Sequence, residues 1–362
     1  MKVALTCFSL LLIGAFGIAQ QAAQPSLQNK PASLTSAPVS SLQQRAATGD
    51  AQAQFELGRA YEDGSSVAQD DAQAAEWFRK SAEQGNAQAQ NSLGVMYAQG
   101  RGVTSDREEA VRWYRKAAKQ GQPDAIYNIA ISYYNGEGQE QNISMACTWM
   151  MLAQHQGGAQ AGEALKHIEE EMNNRFDRCK YDLAGMFEKG EEVPRDLPAA
   201  LGLYTEAAQA KKKDIFAGDA QLKLCQIYAS GEGMQPDYRQ ARLWCKESNS
   251  QEANLVLGRM AEKGQGSPRN LKKAMEYYRK AAVRGGMEPF MEAGRLRMES
   301  GTHEGLKQAY FWYAIAAKYK YEGADEKLRE VTAKLSEKEI ANEAKHVRNY
   351  EEKSKFGELK KH

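Results

Sequence analysis

The sequence predicts an all-α fold: an α-solenoid of about seven antiparallel helix-hairpin repeats with a C-terminal capping helix. Three series of residues carry this expectation. Gly64, Gly100 and Gly136 stand 36 residues apart, and so do Tyr61, Tyr97 and Tyr133, and Trp77, Trp113 and Trp149. The glycine series continues less regularly through Gly190, Gly231, Gly264 and Gly301. A bulky residue follows each glycine by 13 residues, or by 11 in the last unit: Trp77, Trp113, Trp149, Leu203, Trp244, Tyr277 and Trp312. All five tryptophans of the chain therefore occupy one position of a period, the signature of a repeat architecture.

Each unit reads as two helices. The first carries apolar residues at helical spacing, as in Leu93, Met96 and Tyr97, and stops at a glycine suited to a left-handed C-cap. Six residues past that glycine stands Asp70, Asp106, Asn142, Asp196, Asp237 or Asn270. Such side chains accept a hydrogen bond from the free N–H groups opening the next helix. The second helix is expected to bury the row Ala110, Trp113, Tyr114 and Ala117. Gly58, Gly94 and Gly258 let paired helices approach closely, while the tryptophan fills space between hairpins. One hairpin cannot bury its apolar face alone, but stacked neighbours can.

The stretch Ala89–Gly121 holds A-x-x-x-L-G-x-x-Y-x-x-G-x-G-V-x-x-D…A-x-x-W-Y-x-K-A-A-x-x-G nearly complete. This signature closely resembles the Sel-one-like repeat (SLR) family, relatives of the tetratricopeptide proteins. It is degraded at Ala261, where a tyrosine is expected, and at Leu203, where an aromatic is expected. The resemblance covers about residues 47–345 and implies a right-handed superhelix whose first helices line the concave surface.

The N-terminus reads differently. Lys2 precedes the apolar run "VALTCFSLLLIGAFGIA", with Gly17 and Ala19 at its end. This is the pattern of a secretory signal peptide over 1–19, cleaved near Ala19, and the run is short for a membrane anchor. Residues 20–44, with Pro25, Pro31 and Pro38 among Gln, Ser and Ala, read as a disordered linker. Leu165, Ile168 and Met172 follow Trp149 at the offsets at which Leu328, Val331 and Leu335 follow Trp312. A terminator-like helix thus recurs mid-chain. It divides the repeats into a first array over 45–176 and a second over 177–350, before a charged tail at 351–362. Ser336 and Glu339 form a capping box opening a last helix.

Several chemical readings dissolve in the repeat. The G-x-G pairs at Gly100/Gly102, Gly136/Gly138, Gly231/Gly233 and Gly264/Gly266 lack the preceding strand of a dinucleotide loop and the Gly-Lys-Ser/Thr of a P-loop. Their recurrence at one place in each unit reads as an interhelical turn. The basic segment "RWYRKAAK" has counterparts in "EWFRKSAE" and "EYYRKAAV" and reads as a charged outer face. Five histidines show no metal-ligand spacing, and neither G-x-S-x-G nor S-x-x-K occurs. The formal net charge is +1, from 48 basic and 47 acidic residues, which gives no general reason to expect a nucleic acid or an anionic membrane as partner. No enzyme, metal or cofactor is expected.

Four cysteines follow the signal: Cys147, Cys179, Cys225 and Cys245. Cys225 takes the small-glycine slot of its first helix and Cys245 the Tyr114 slot of its second, so the two come level across the hairpin. A Cys225–Cys245 disulfide is expected, against two packed free thiols. A Cys147–Cys179 bridge would cross the mid-chain joint and is left open.

The face free of packing demands lies on the first helices, at 12, 8, 5 and 1 residues before the turn glycine. This stripe reads Gln52, Glu56, Arg59, Asp63 in one unit and Gln88, Ser92, Val95, Gln99 in the next. Its chemistry then changes through Asn128, Asp182, Lys223, Gln226 and Arg259. The expected partner-binding residues are Glu56, Arg59, Ser92, Asn128, Asp182, Lys223, Gln226 and Arg259. The resulting reading is a secreted or periplasmic scaffold that binds a protein or peptide, without membrane insertion after signal removal. An envelope polysaccharide-assembly or carbohydrate-binding factor is the alternative, and would predict exposed Tyr127, Tyr134 and Tyr181. A β-lactamase-like enzyme, as claimed for cysteine-rich relatives, is a further one.

Overall fold

The computed structural model describes residues 39–158, 160–172, 175–210, 215–284 and 286–353. The expected signal peptide, most of the linker and the end of the charged tail lie outside them. The described residues form eighteen α-helices and no strand. The chain divides into two compact units, one up to Asp106 and one from Arg107 onward.

The first unit comprises α1 (Val39–Ala47), α2 (Ala51–Asp63), α3 (Asp71–Glu83) and α4 (Ala87–Gln99). Each helix packs on the next. Helix α1 begins inside the stretch read as linker. Leu42 and Ala46, one turn apart, pack with Ala53, Leu57, Tyr61 and Trp77, so the helix covers an otherwise exposed repeat face, as terminal caps do. In the α2–α3 hairpin a Cβ on Gly58 would sit 2.7 Å from the Phe78 ring, which is why only glycine serves there.

In the second unit the hairpins are α6–α7 (Pro123–Asn135, Ile143–His155), α9–α10 (Phe176–Lys189, Leu197–Ala208), α11–α12 (Ile215–Ser230, Tyr238–Ser248), α13–α14 (Gln251–Lys263, Leu271–Val283) and α15–α16 (Glu288–Met298, His303–Lys318). Helix α5 (Arg107–Ala118) packs on α6, and each hairpin from α9 onward packs on the one after it. Between the α6–α7 and α9–α10 hairpins lies α8 (Ala161–Met172), and after the last come α17 (Ala324–Thr332) and α18 (Glu337–Lys353). Helix α7 packs on both α8 and α9, and α16 packs on both α17 and α18. The recurring offsets after Trp149 and Trp312 thus mark one local arrangement, used mid-chain and again at the end. Ala161 and Ala324, Ile168 and Val331 are its buried pairs.

The turn between paired helices has a fixed hydrogen-bond pattern. The first helix ends at a left-handed glycine, with φ of 65° at Gly64 and 72° at Gly136. Asp70, Asn142, Asp196, Asp237 and Asn270 then cap the second helix through their side-chain oxygens. The same residues send their backbone N–H back to the preceding first helix, for example Asn142 to the Tyr133 carbonyl at 2.9 Å and Asp237 to the Tyr228 carbonyl at 2.9 Å. The second glycine has another purpose. A Cβ on Gly138 would overlap the carbonyl of Arg107, and one on Gly102 the carbonyl of Asp71, so the turn rests directly on the N-terminal end of the preceding second helix.

The seventh hairpin differs. Helix α15 stops at Met298, and Thr302 caps α16 immediately after Gly301, its hydroxyl accepting from the Gly305 N–H at 3.0 Å. The long turn is missing, which explains why Trp312 follows its glycine by 11 residues instead of 13. Glutamines near the start of the first helices, buried at Gln54 and Gln90 and half-buried at Gln221, are a further repeat feature that hydrophobic patterning does not reveal. Gln54, Gln90 and Gln221 donate to the carbonyls of Ala46, Ala82 and Ala208, satisfying the end of the helix before.

The capping box stands as expected. The Ser336 N–H and hydroxyl both donate to Glu339, at 3.0 and 2.6 Å, and His303 Nε2 lies 2.6 Å from the same carboxylate. The Ser336 hydroxyl and His303 hold the Glu339 carboxyl at about 2, well below its ordinary value of 4.5. A carboxyl depressed on folding stabilises the native state above its unfolded value, and that stabilisation fades as the pH falls through its folded value. Glu339→Gln is therefore expected to lower the melting temperature at pH 7, with the gap to the native chain closing between pH 4.5 and about 2. Thermal unfolding across that range checks it.

Candidate functional site

The first helices carry the residues of the expected stripe, but their charges are not a free row. In α2, Gln52 donates to Glu56 at 3.1 Å and Arg59 pairs with Asp63 at 3.5 Å. Asn86, which caps α4, donates to Gln52 at 3.2 Å. Ser92 and Val95 on α4 are half-buried. In the second unit Asn128 is half-buried and Gln226 exposed. Arg178 pairs with Asp182 at 3.3 Å and lies 5.0 Å from the Phe216 ring centre. Burial, ahead of the opposing Arg178, raises the Asp182 carboxyl above its usual range.

Other stripe charges tie neighbouring first helices together. Lys223 of α11 reaches Glu188 of α9 at 3.1 Å. Arg259 of α13 pairs with Glu288 and, at 3.3 Å, with Glu292 of α15. Arg295 of α15 returns to Glu262 of α13 at 2.8 Å and also binds Glu292 and Glu299. Glu188 and Glu262 stand two residues before their turn glycines. Each accepts a hydrogen bond from the tyrosine filling the adjacent second-helix slot, Tyr204 at 2.6 Å and Tyr278 at 2.7 Å. Burial, then the neighbouring carboxylate, pushes both phenols up. The sequence reading missed Glu188, Glu262, Glu288, Glu292 and Arg295. The recurrence of Glu two residues before the glycine, also seen at Glu62, was the available signal. Each exposed pair contributes about 0.2–1 kcal/mol, so the larger consequence is a fixed arrangement of the stripe.

The three tyrosines nominated for carbohydrate stacking are half-buried. Tyr134 donates to Glu171 of α8 at 3.1 Å, and burial followed by that carboxylate raises its hydroxyl to about 12. Tyr181 packs at 5.4 Å on the Tyr204 ring.

Both cysteine pairs stand at disulfide distance. Cys225 and Cys245 are fully buried with Cα atoms 4.8 Å apart, and Cys147 and Cys179, also fully buried, are 5.9 Å apart. The first pair joins the two helices of one hairpin, and the second joins α7 to α9 past the intervening α8. Among the described residues no group of three or more His, Cys, Asp or Glu could hold a metal, and no helix is long and apolar enough to cross a membrane.

Stacked helical hairpins with a uniform packed core and a variable first-helix face define an α-solenoid of the interaction-module class. The Sel1 repeat model matches at 51–86, 87–122, 123–153, 178–212, 218–252 and 251–285, and the chain belongs to the Sel1 repeat family. Proteins of this family generally mediate protein–protein interaction. Among solved structures, the chain is similar to a protective antigen of uropathogenic Escherichia coli displaying an SLR fold, with 23% identity over 87% of each chain and a TM-score of 0.36. A Sel1 repeat protein from Oxalobacter formigenes shares 26% identity over 67% of this chain and 92% of its own, with a TM-score of 0.32. One from Klebsiella pneumoniae subsp. pneumoniae shares 20% identity over 72% and 99%, with a TM-score of 0.25. No curated protein matches the chain.

Proposed function

We propose that this protein is an exported scaffold, secreted or periplasmic, that binds a protein or peptide through the first-helix stripe and performs no catalysis of its own. The observation that carries this reading is the contrast between core and stripe. Core positions keep one chemistry from hairpin to hairpin, whereas the stripe changes from Gln52, Glu56 and Arg59 to Ser92 and Val95 and on to Lys223 and Gln226. A surface selected only for solubility has no need of such local detail, while peptide recognition on a repeat face draws its specificity from it. The ion pairs hold the stripe's side chains in place, which lowers the ordering cost of binding. Export is supported by the apolar N-terminal run and by two buried cysteine pairs at disulfide distance, an arrangement favoured in oxidising compartments.

Affinity capture by the mature chain from its native host, run beside a variant carrying Glu56→Lys, Arg59→Glu, Asp182→Lys and Arg259→Glu, tests the reading. The partner held by the native chain is expected to be lost from the variant, whose helical circular dichroism stays unchanged. Equal capture by a folded variant sinks the proposal.

A further inference from the structure

The junction between α12 and α14 departs from a packing pattern kept at two other junctions of this unit. In three repeats the second residue after the aromatic slot is an arginine: Arg79, Arg115 and Arg279. Two of these guanidinium groups lie near the tryptophan of the following hairpin, Arg115 at 5.7 Å from the Trp149 ring centre and Arg279 at 5.9 Å from that of Trp312. At the α12–α14 junction both partners change. The arginine position holds Lys246 and the tryptophan position holds Tyr277.

A cavity of about 190 Å³ opens there. Arg242 and Lys246 enter it from α12, Lys273 and Tyr277 from α14, and Ser267 from the turn, over an apolar floor given by α13. No carboxylate lines it. Arg115, Arg178, Lys223, Arg259 and Arg295 of this unit each pair with a carboxylate. Arg242 instead gives one N–H to the Gln265 carbonyl at 3.3 Å, which leaves further donors on its fork. Arg242 and Lys246 stand one turn apart, a like-charge spacing that destabilises a helix, and Lys273 adds a third positive charge. An anion seated among them removes this repulsion.

We propose that this cavity binds a tetrahedral oxyanion, phosphate or sulfate, free or carried on a larger molecule. The three cations supply charge, and the Ser267 and Tyr277 hydroxyls supply neutral donors. The volume lies below the 300–1,000 Å³ of sites for drug-sized ligands, which suits a compact group. The site is separate from the first-helix stripe, so it neither requires nor excludes the partner reading above.

The test is the melting temperature of the full mature chain with inorganic phosphate, sulfate or O-phosphoserine, each against chloride at matched ionic strength. A saturable rise with at least one oxyanion, absent with chloride, is expected, and the tightest of the three identifies the source. Lys246→Gln combined with Lys273→Gln is expected to weaken binding by about tenfold or more. Tyr277→Trp restores the residue usual at this slot and refills the cavity. It is expected to abolish the oxyanion response while leaving the melting temperature in chloride unchanged or higher. Equal shifts in oxyanion and chloride, or an undiminished response in both variants, overturn the proposal.

Discussion

Gly138→Ala is expected to cost about 2–5 kcal/mol, and Gly136→Ala about 1–2 kcal/mol, although the two glycines share one turn. Both have left-handed backbones, with φ of 70° and 72°, and an L-residue pays about 1–2 kcal/mol there. At Gly136 the added Cβ meets the Gln141 Cβ at 3.2 Å and its backbone N at 3.4 Å, a tight contact that a shift of a few tenths of an ångström relieves. At Gly138 it overlaps the backbone carbonyl of Arg107, and overpacking against an atom that cannot rotate aside adds about 1–3 kcal/mol. Against a typical total of about 5–15 kcal/mol, the Gly138 change alone is a large fraction. Urea unfolding of the full chain, followed by tryptophan fluorescence, separates the two. Equal midpoints for both variants contradict the close-approach role of the second glycine. The phosphate-loop appearance of G-x-G is thereby accounted for by two structural demands, one conformational and one steric.

The fold was legible because repetition turns weak local signals into a strong periodic one. A single Asp or Asn after a single glycine means little, whereas such a pair at 64/70, 136/142, 190/196, 231/237 and 264/270 identifies a cap and the helix it opens. Helix α1 was hidden because Leu42 and Ala46 sit in a polar stretch too short to show a period. The absent long turn at Gly301 left only one trace, the spacing of 11 residues to Trp312, because the glycine itself is present although the helix before it stops early. The stripe positions were legible from helical spacing, but not their partners. Pairs such as Lys223 with Glu188 and Arg259 with Glu292 join residues from different hairpins, and no single repeat contains both halves. The basic cavity at Tyr277 was missed for a related reason. It arises from two substitutions in adjacent repeats, Lys246 and Tyr277, each innocuous alone.

Replacing both Cys225 and Cys245 with serine is expected to cost about 3 kcal/mol or more, the second large effect. The two positions are separated by 20 residues in sequence, and cross-linking a loop of that size removes about 3 kcal/mol of unfolded-state entropy in the chain-entropy account. Burying two hydroxyls in place of sulfur adds to the loss. A second variant isolates the cross-link from the packing. In the α13–α14 hairpin the same two slots hold Gly258 and Tyr278, and in the α15–α16 hairpin Gly294 and Tyr313, with the aromatic ring against the glycine in each case. Cys225→Gly with Cys245→Tyr installs that apposition, so it should recover much of the packing while lacking the bond. Native protein is expected to lose stability on reduction, and the Gly/Tyr variant to lose less, by the share due to this one bridge; the Cys147–Cys179 contribution is common to both. Guanidinium unfolding with and without reductant measures the difference. Alkylation of Cys245 in native, unreduced protein, or an equal response of both chains to reductant, rules the bridge out. The cysteines would then be two small buried residues in a glycine slot and an aromatic slot, and only the Cys147–Cys179 pair would remain as cysteine support for an oxidising compartment.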